Sequence, residues 1–289
     1  MVRGQLGAAQ QITHGLKQQQ DGADAAEKDG SLTILSAATS IGKREQRLLR
    51  MCESCGLNCT LIGQREKWRG YQWLKDDLFL PALRALPPER LVITMDAADM
   101  IVQASANEVL GRYFAVLRQH GNRSGVAVGM LESSCPRLPH GQRCPIASAT
   151  LNAGVPRLTN LNGGFLMGPA HVVLDVWLSI GTLDPQYAMG LYALAHPDVL
   201  VPDTRQVLAG AISFQQHEWP THYRLDNTTH RIANQHTGIS PAFVHLPGTQ
   251  ESLRRTVYNR ERMHPFDEVM RLVDERLARP LPCPALHYT

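Results

Sequence analysis

The sequence predicts an α/β fold with a mostly parallel sheet flanked by helices. Three observations predict it. Candidate strands and helices alternate from residue 32 onward, the order of a chain that winds helices over a parallel sheet. The clearest strands, Leu91–Met95 and Gly125–Gly129, are continuous apolar runs, as strands buried on both faces are. The chain has 289 residues, 43% hydrophobic and 19% charged, enough for a large core and unlike a disordered or collagenous chain.

The elements follow in order. Residues 1–30 hold a Gln18-Gln19-Gln20 run and then mixed Ala, Asp, Glu and Lys, which predicts a disordered lead-in. Leu32 to Thr39 is a β-rich apolar run ending in small residues. Lys43 to Cys55 has a basic amphipathic helical pattern, and Thr60–Ile62 is a short strand. Tyr71 to Leu86 predicts a helix that stops at Pro87-Pro88. After the strand Leu91–Met95 comes a helix over Glu108 to His120, then the strand Gly125–Gly129. Residues 133–159 are rich in Pro, Gly and Cys and predict a long functional loop. Asn162-Gly163-Gly164-Phe165 opens a new ordered stretch, with an ordinary turn as its plainest reading. Helices are predicted over Ala170–Ile180 and Pro185–His196, a short strand over the Pro241–Gly248 segment, and a helical tail over Glu251–Arg279. The domain reading is therefore a lead-in over 1–30, an α/β domain over 31–250 and a helical tail over 251–289.

Composition excludes some classes. Twenty-nine Lys+Arg against 26 Asp+Glu gives 29 − 26 = +3, and the basic residues are scattered rather than concentrated, which argues against nucleic acid as a partner. The longest apolar runs, such as Val172 to Ile180, are broken by Asp175 and fall short of the roughly 20 residues of a membrane span. The N-terminus has no apolar segment of a secretory leader. On this ground the chain is expected to be soluble, without an integral membrane segment. Cys52-Glu53-Ser54-Cys55 has the spacing of a zinc half-site or redox pair. The plainer expectation is a helix carrying Cys52, Cys55 and Cys59 on one face, as buried hydrophobes or with one local disulfide.

Parallel sheets bind ligands at the carboxyl ends of their strands. That directs attention to Thr39, Asp96 and the residues after Met130. Asp96-Ala97-Ala98-Asp99 directly follows the strand Leu91–Met95, so both carboxylates can converge on one hard cation, Mn²⁺ or Mg²⁺. Such a cation can neutralise a departing diphosphate. The bland alternative is a helix-capping aspartate beside a solvated one. His245 ends a short apolar strand and offers a third ligand; imidazole tilts the choice toward Mn²⁺. Gly163 and Gly164 permit close approach of a ligand to the backbone.

These motifs, with Glu132 at a strand end, Asp184 before a helix, and Leu225-Asp226 and Ile232–Gln235 before the late His245, occur in an order that resembles the glycosyltransferase domain of procollagen lysyl hydroxylases. The resemblance covers roughly residues 32–250 and includes Trp68-Arg69-Gly70. It implies a GT-A, Rossmann-type fold and transfer of galactose or glucose from a UDP-sugar to a hydroxyl acceptor, hydroxylysine in a collagen-like protein. It implies that Asp96, Asp99 and His245 hold Mn²⁺, with Asp96 against the nucleotide diphosphate. Thr39 and Lys75 are implied near the nucleotide, and Asn162, Gly163 and Gly164 around the sugar. Asp184 and Gln186 are implied to face donor sugar and acceptor, and Asp184 is the expected base of an inverting transfer. The family's setting is the lumen of the endoplasmic reticulum or Golgi; without a leader the expected setting is cytoplasmic.

The sequence departs from the family at named places. Ala98 stands where the family has an aromatic, so base stacking falls to Trp68. Gln250 stands where it has a phosphate-contacting Lys, for which Arg254 or Arg255 are the substitutes at hand. Ser133-Ser134-Cys135 lacks the family's Trp. Two other readings follow from these departures and from the Asp pair alone: a UDP-binding protein of the same fold that has lost transfer, and a metal-dependent phosphoester hydrolase.

Overall fold

A computed structural model describes residues 32–121, 125–132, 160–212, 222–226, 229, 231–247, 269, 271–275 and 283. The expectations for residues 1–30, for the loop over 133–159 with Cys135 and Cys144, for Gln250, Arg254 and Arg255, and for most of the tail lie outside these residues.

The core is a mixed, mostly parallel sheet. Its strands are β1 (Leu32–Ala37), β2 (Asn58–Ile62), β3 (Leu91–Asp96), β4 (Met100–Val102), β5 (Ala127–Glu132), β6 (Asn160–Pro169), β7 (Leu200–Pro202), β8 (Ala209–Ala211) and β11 (Phe243–His245). The order across the sheet is β2-β1-β3-β6-β5-β8-β11-β4, with β7 also on β5. β1 runs parallel to β2 and β3, β5 to β7 and β8, and β11 to β8. β6 runs antiparallel between β3 and β5, and β4 antiparallel to β11. A separate hairpin pairs β9 (Tyr223–Leu225) with β10 (Ile232–Asn234).

Alternation of side chains along each strand splits the core into two layers. On one face Ile34, Ile93, Val128 and Phe165 pack with α1 (Lys43–Ser54) and α4 (Ala106–Gln119). On the other, Leu35, Val92, Ala127 and Leu166 pack with α5 (Ala170–Ser179), α6 (Pro185–Ala195) and the helical stretch after Tyr71. That stretch is the predicted helix in three parts: α2 (Tyr71–Trp73), a π-helical section (Leu74–Phe79) and α3 (Leu80–Arg84). The wider section corrects the expectation of one regular helix; such widening recurs near functional sites.

Two placements correct the bland readings. Asn162-Gly163-Gly164 lies within strand β6 rather than in a turn. Asp99 is followed by strand β4, not by a helix; α4 starts at Ala106 and is capped by Ser105, whose hydroxyl accepts from the Glu108 amide at 3.4 Å. The cysteine expectation is also revised. Cys52 bonds Cys59 and Cys55 bonds Cys283, so Cys52 and Cys55 form neither a zinc half-site nor a redox pair with each other. Cys59 lies on β2 rather than on the helix that carries the other two. The local Cys52–Cys59 bond is one of the outcomes expected; Cys283 as the second partner is not readable from spacing.

Buried polar groups fix where β11 enters the sheet. The Gln103 carboxamide donates to the carbonyls of Ile232 (3.1 Å) and Pro241 (2.9 Å) and accepts from the Ile232 amide at 2.7 Å. Glu108 pairs with Arg112 and Arg231, all buried, and Arg112 donates to the carbonyls of Val207 and Ser240. Every charge in this group has a partner, which is the condition for burying it.

Candidate metal centre

The centre is built where β3 ends. Asp96 is its last residue and Asp99 closes the turn into β4. The antiparallel pairing of β11 with β4 sets His245 opposite Met100, next to Asp99, and the Leu246 amide donates to the Asp99 carbonyl at 2.9 Å. Strand pairing thus brings together residues almost 150 positions apart. His245 Nε2 lies 3.4 Å from Asp96 Oδ2 and 3.4 Å from Asp99 Oδ1. One ligand atom from each of the three residues lies within 4.8 Å of the others. Asp96 is half exposed, while the His245 side chain is 4% exposed.

Neither ring nitrogen of His245 makes a hydrogen bond, although both are buried. A buried imidazole without hydrogen bonds costs free energy unless a nearby charge or ion satisfies it. Burial lowers its pKa, but the Asp99 and Asp96 carboxylates outweigh burial and hold it up at about 10. A proton on His245 is therefore the cation that the two carboxylates hold when no metal is bound. The donor set fits a divalent cation. Two carboxylate oxygens and an imidazole nitrogen suit Mn²⁺ and related ions. Adjacent ligands of an octahedral ion at about 2.1 Å stand about 3 Å apart, so the 3.4 Å separations need only a small contraction.

Gly164 forms the floor. It follows Asn162 on β6, whose neighbour Phe165 pairs with Met95 of β3. A Cβ on Gly164 would fall 2.6 Å from Asp96 Oδ2, 2.8 Å from Asn162 Oδ1 and 3.0 Å from His245 Cε1. Only glycine lets β6 approach this closely. Asn162 Oδ1 accepts from the Gly164 amide at 2.6 Å, which orients the Asn162 side chain. Gly163 faces α6: a Cβ there would lie 3.3 Å from the Gln186 amide nitrogen and 3.4 Å from Pro185 Cβ.

Asp184 is the N-cap of α6. Its Oδ1 accepts from the amides of Gln186 (3.0 Å) and Tyr187 (3.3 Å), satisfying donors that a helix start leaves over. Gln186 Nε2 donates to Glu132 Oε1 at the end of β5. Thr39 lies at the same sheet end, two residues past Ala37, which pairs with Asp96; its carbonyl accepts from the Arg65 amide at 3.0 Å. Trp68, 55% exposed, stands edge-on to Tyr71 and Trp73 with centroids 5.6 and 5.9 Å away. Lys75 lies on the π-helical section that follows α2. It is buried and its ammonium donates to the Gly181 carbonyl at 2.7 Å, with Asp76 Oδ1 at 3.2 Å. A helix-anchoring contact is what the structure shows for Lys75.

Two residues of this region carried no site role in the sequence. Tyr71, half exposed at the start of α2, has its phenol pKa raised by burial and by the carboxylates of Asp184, Asp96 and Asp99. It stays protonated, a neutral donor beside three acids. Glu132 was legible only as a strand-end acid. Neither lies in a spacing pattern that marks a ligand, since both reach the region through packing.

No family model and no curated protein matches the chain. Among solved structures, the chain is similar to the crystal structure of a glycosyltransferase involved in the glycosylation of the major capsid of PBCV-1. The match has 14% identity and a TM-score of 0.44, over 77% of this chain and 97% of that one. Among the described residues no helix is long and apolar enough to cross a membrane.

Proposed function

We propose that this chain is a divalent-metal-dependent glycosyltransferase that moves a hexose, galactose or glucose, from a UDP-sugar to a hydroxyl acceptor. The observation that carries the reading is the buried His245, whose Nε2 makes no hydrogen bond but faces the strand-end carboxylates of Asp96 and Asp99 at 3.4 Å each. Asp96, Asp99 and His245 would hold the cation, which when bound neutralises charge on a departing diphosphate. Asn162, Gly163 and Gly164 would shape the sugar pocket, on the strand segment packed against Asp96, His245 and the start of α6. Trp68 supplies an exposed ring for the base, in place of the aromatic absent at Ala98. Asp184 is the candidate base, held at a helix start beside Gln186. The motif order that resembles the procollagen lysyl hydroxylase transferase domain supports UDP-sugar as donor and hydroxylysine of a collagen-like chain as acceptor. We assign this activity to residues 31–250, to which the Cys55–Cys283 bond ties the tail. The Cys52–Cys59 and Cys55–Cys283 bonds support an oxidising compartment, such as the secretory lumen, as the setting of this activity.

The test is calorimetric titration of UDP with and without Mn²⁺, on the wild type and Asp99→Ala. The expected result is Mn²⁺-dependent binding that the substitution weakens at least about tenfold, the scale of one lost charged ligand. Absence of UDP binding under both conditions overturns the reading.

A further inference from the structure

The end of β5 carries an acid that metal binding leaves unexplained. Glu132 is 3% exposed and follows Met130 and Leu131, both buried apolar residues of the same strand. A third apolar residue there would avoid the desolvation cost of a carboxylate. Glu132 instead stands opposite Asn160 of β6 and accepts a hydrogen bond from Gln186 Nε2 across to α6.

We propose that Glu132 is a positioning residue for the donor-sugar wall: through Gln186 it holds the start of α6 against the diglycine of β6. The inference rests on the glycosyltransferase reading above. Each link is geometric. Glu132 fixes the Gln186 side chain, and the Gln186 amide is fixed by Asp184 Oδ1 at 3.0 Å. The Pro185–Gln186 backbone lies against Gly163, close enough that a Cβ on the glycine would be 3.3 Å from the Gln186 nitrogen. The next residue, Gly164, is the floor under Asp96 and His245. Gln186 is thereby held at two points, one on its side chain and one on its backbone, beside the strand expected to shape the sugar pocket. A carboxamide fixed in this way keeps a constant orientation toward a hexose hydroxyl, and fixed polar groups discriminate between ligands better than mobile ones. The metal ligands lie on β3, the β3–β4 turn and β11, so loss of Glu132 leaves their own strand pairings in place.

The experiment measures the affinity of UDP, UDP-galactose and UDP-glucose in Mn²⁺. The proteins are the wild type, Glu132→Ala, Glu132→Gln and Gln186→Ala, with melting temperatures as a check on folding. Alanine at either position is expected to weaken UDP-hexose binding about tenfold, the effect of one directed hydrogen bond, and to leave Mn²⁺ and UDP affinity within about twofold. Glutamine at 132 keeps an acceptor oxygen for Gln186 and is expected to restore most of the loss. Equal weakening of UDP and UDP-hexose, in Gln186→Ala as in Glu132→Ala, would mean a general structural role and overturns the inference alone, as does no change at all. A wild type that binds neither UDP nor UDP-hexose overturns the glycosyltransferase reading and this inference with it.

Discussion

A single added methyl tests the centre at the residue scale. In Gly164→Ala the new Cβ would lie 2.6 Å from Asp96 Oδ2 and 3.0 Å from His245 Cε1, so the ligands or β6 must move. Mn²⁺ affinity should fall about tenfold or more, with folding retained, because misplaced ligands cost metal affinity on that scale. Titration followed by the electron paramagnetic signal of free Mn²⁺ reads this directly. His245 makes a second prediction. Its pKa of about 10 means that the metal-free protein carries a proton there at neutral pH, and metal must displace it. Between pH 6.5 and 8.5 the apparent Mn²⁺ affinity should therefore rise about tenfold per pH unit from this group. Calorimetry in buffers of different ionisation enthalpy should count about one proton released per ion. The sign for stability is opposite. The folded pKa lies above the ordinary His value, so the metal-free protein gains from this group fully below about pH 6.5 and loses the gain as pH rises toward 10.

At the scale of the element, α6 is the informative piece. Its start is set by Asp184 and Pro185, a capping acid followed by a residue whose missing amide costs nothing at that position. Asp184 caps the helix, and the base role proposed above would fall to the same carboxylate. Asparagine separates them, since it caps as well as aspartate but carries no charge. Asp184→Asn should unfold within about 0.5 kcal/mol of the wild type in urea. It should bind UDP-sugar normally and lose transfer by about a hundredfold or more, the usual contribution of a general base. Retained transfer would leave Asp184 as a cap only.

At the scale of the whole molecule, two disulfides among the described residues meet at the C-terminal end of α1. Cys55–Cys283 joins residues 228 apart in sequence, while Cys52–Cys59 closes a separation of only 7. By chain entropy the long closure contributes more, about 5 kcal/mol against about 2. Urea unfolding of Cys283→Ala and Cys59→Ala should show that order. Reduction by dithiothreitol should lower the midpoint of the wild type more than that of a variant lacking Cys52, Cys55, Cys59 and Cys283.

The sequence determined those features that depend on local order. The runs Leu32–Ala37 and Leu91–Met95 are largely apolar, broken only by Thr33, Ser36 and Thr94, because both faces of their strands pack against helices, and that pattern is visible in one dimension. Asp96 and Asp99 were legible for the same reason: they follow a strand directly, and three residues of turn cannot carry them far apart. Strands β4, β7 and β8 were not legible, since three residues carry no period and exist only because a neighbour pairs with them. Asn162-Gly163-Gly164 carries turn residues, yet it is a strand because β3 and β5 bind it on both edges. Lys75 was legible as a cation on a helix, but its hydrogen bond to the Gly181 carbonyl, 106 residues on, was not. The partners Glu132 with Gln186 and Cys55 with Cys283 were decided by tertiary structure alone. Each joins residues more than 50 apart, and distance between side chains in space is set by sheet order, which no short motif encodes.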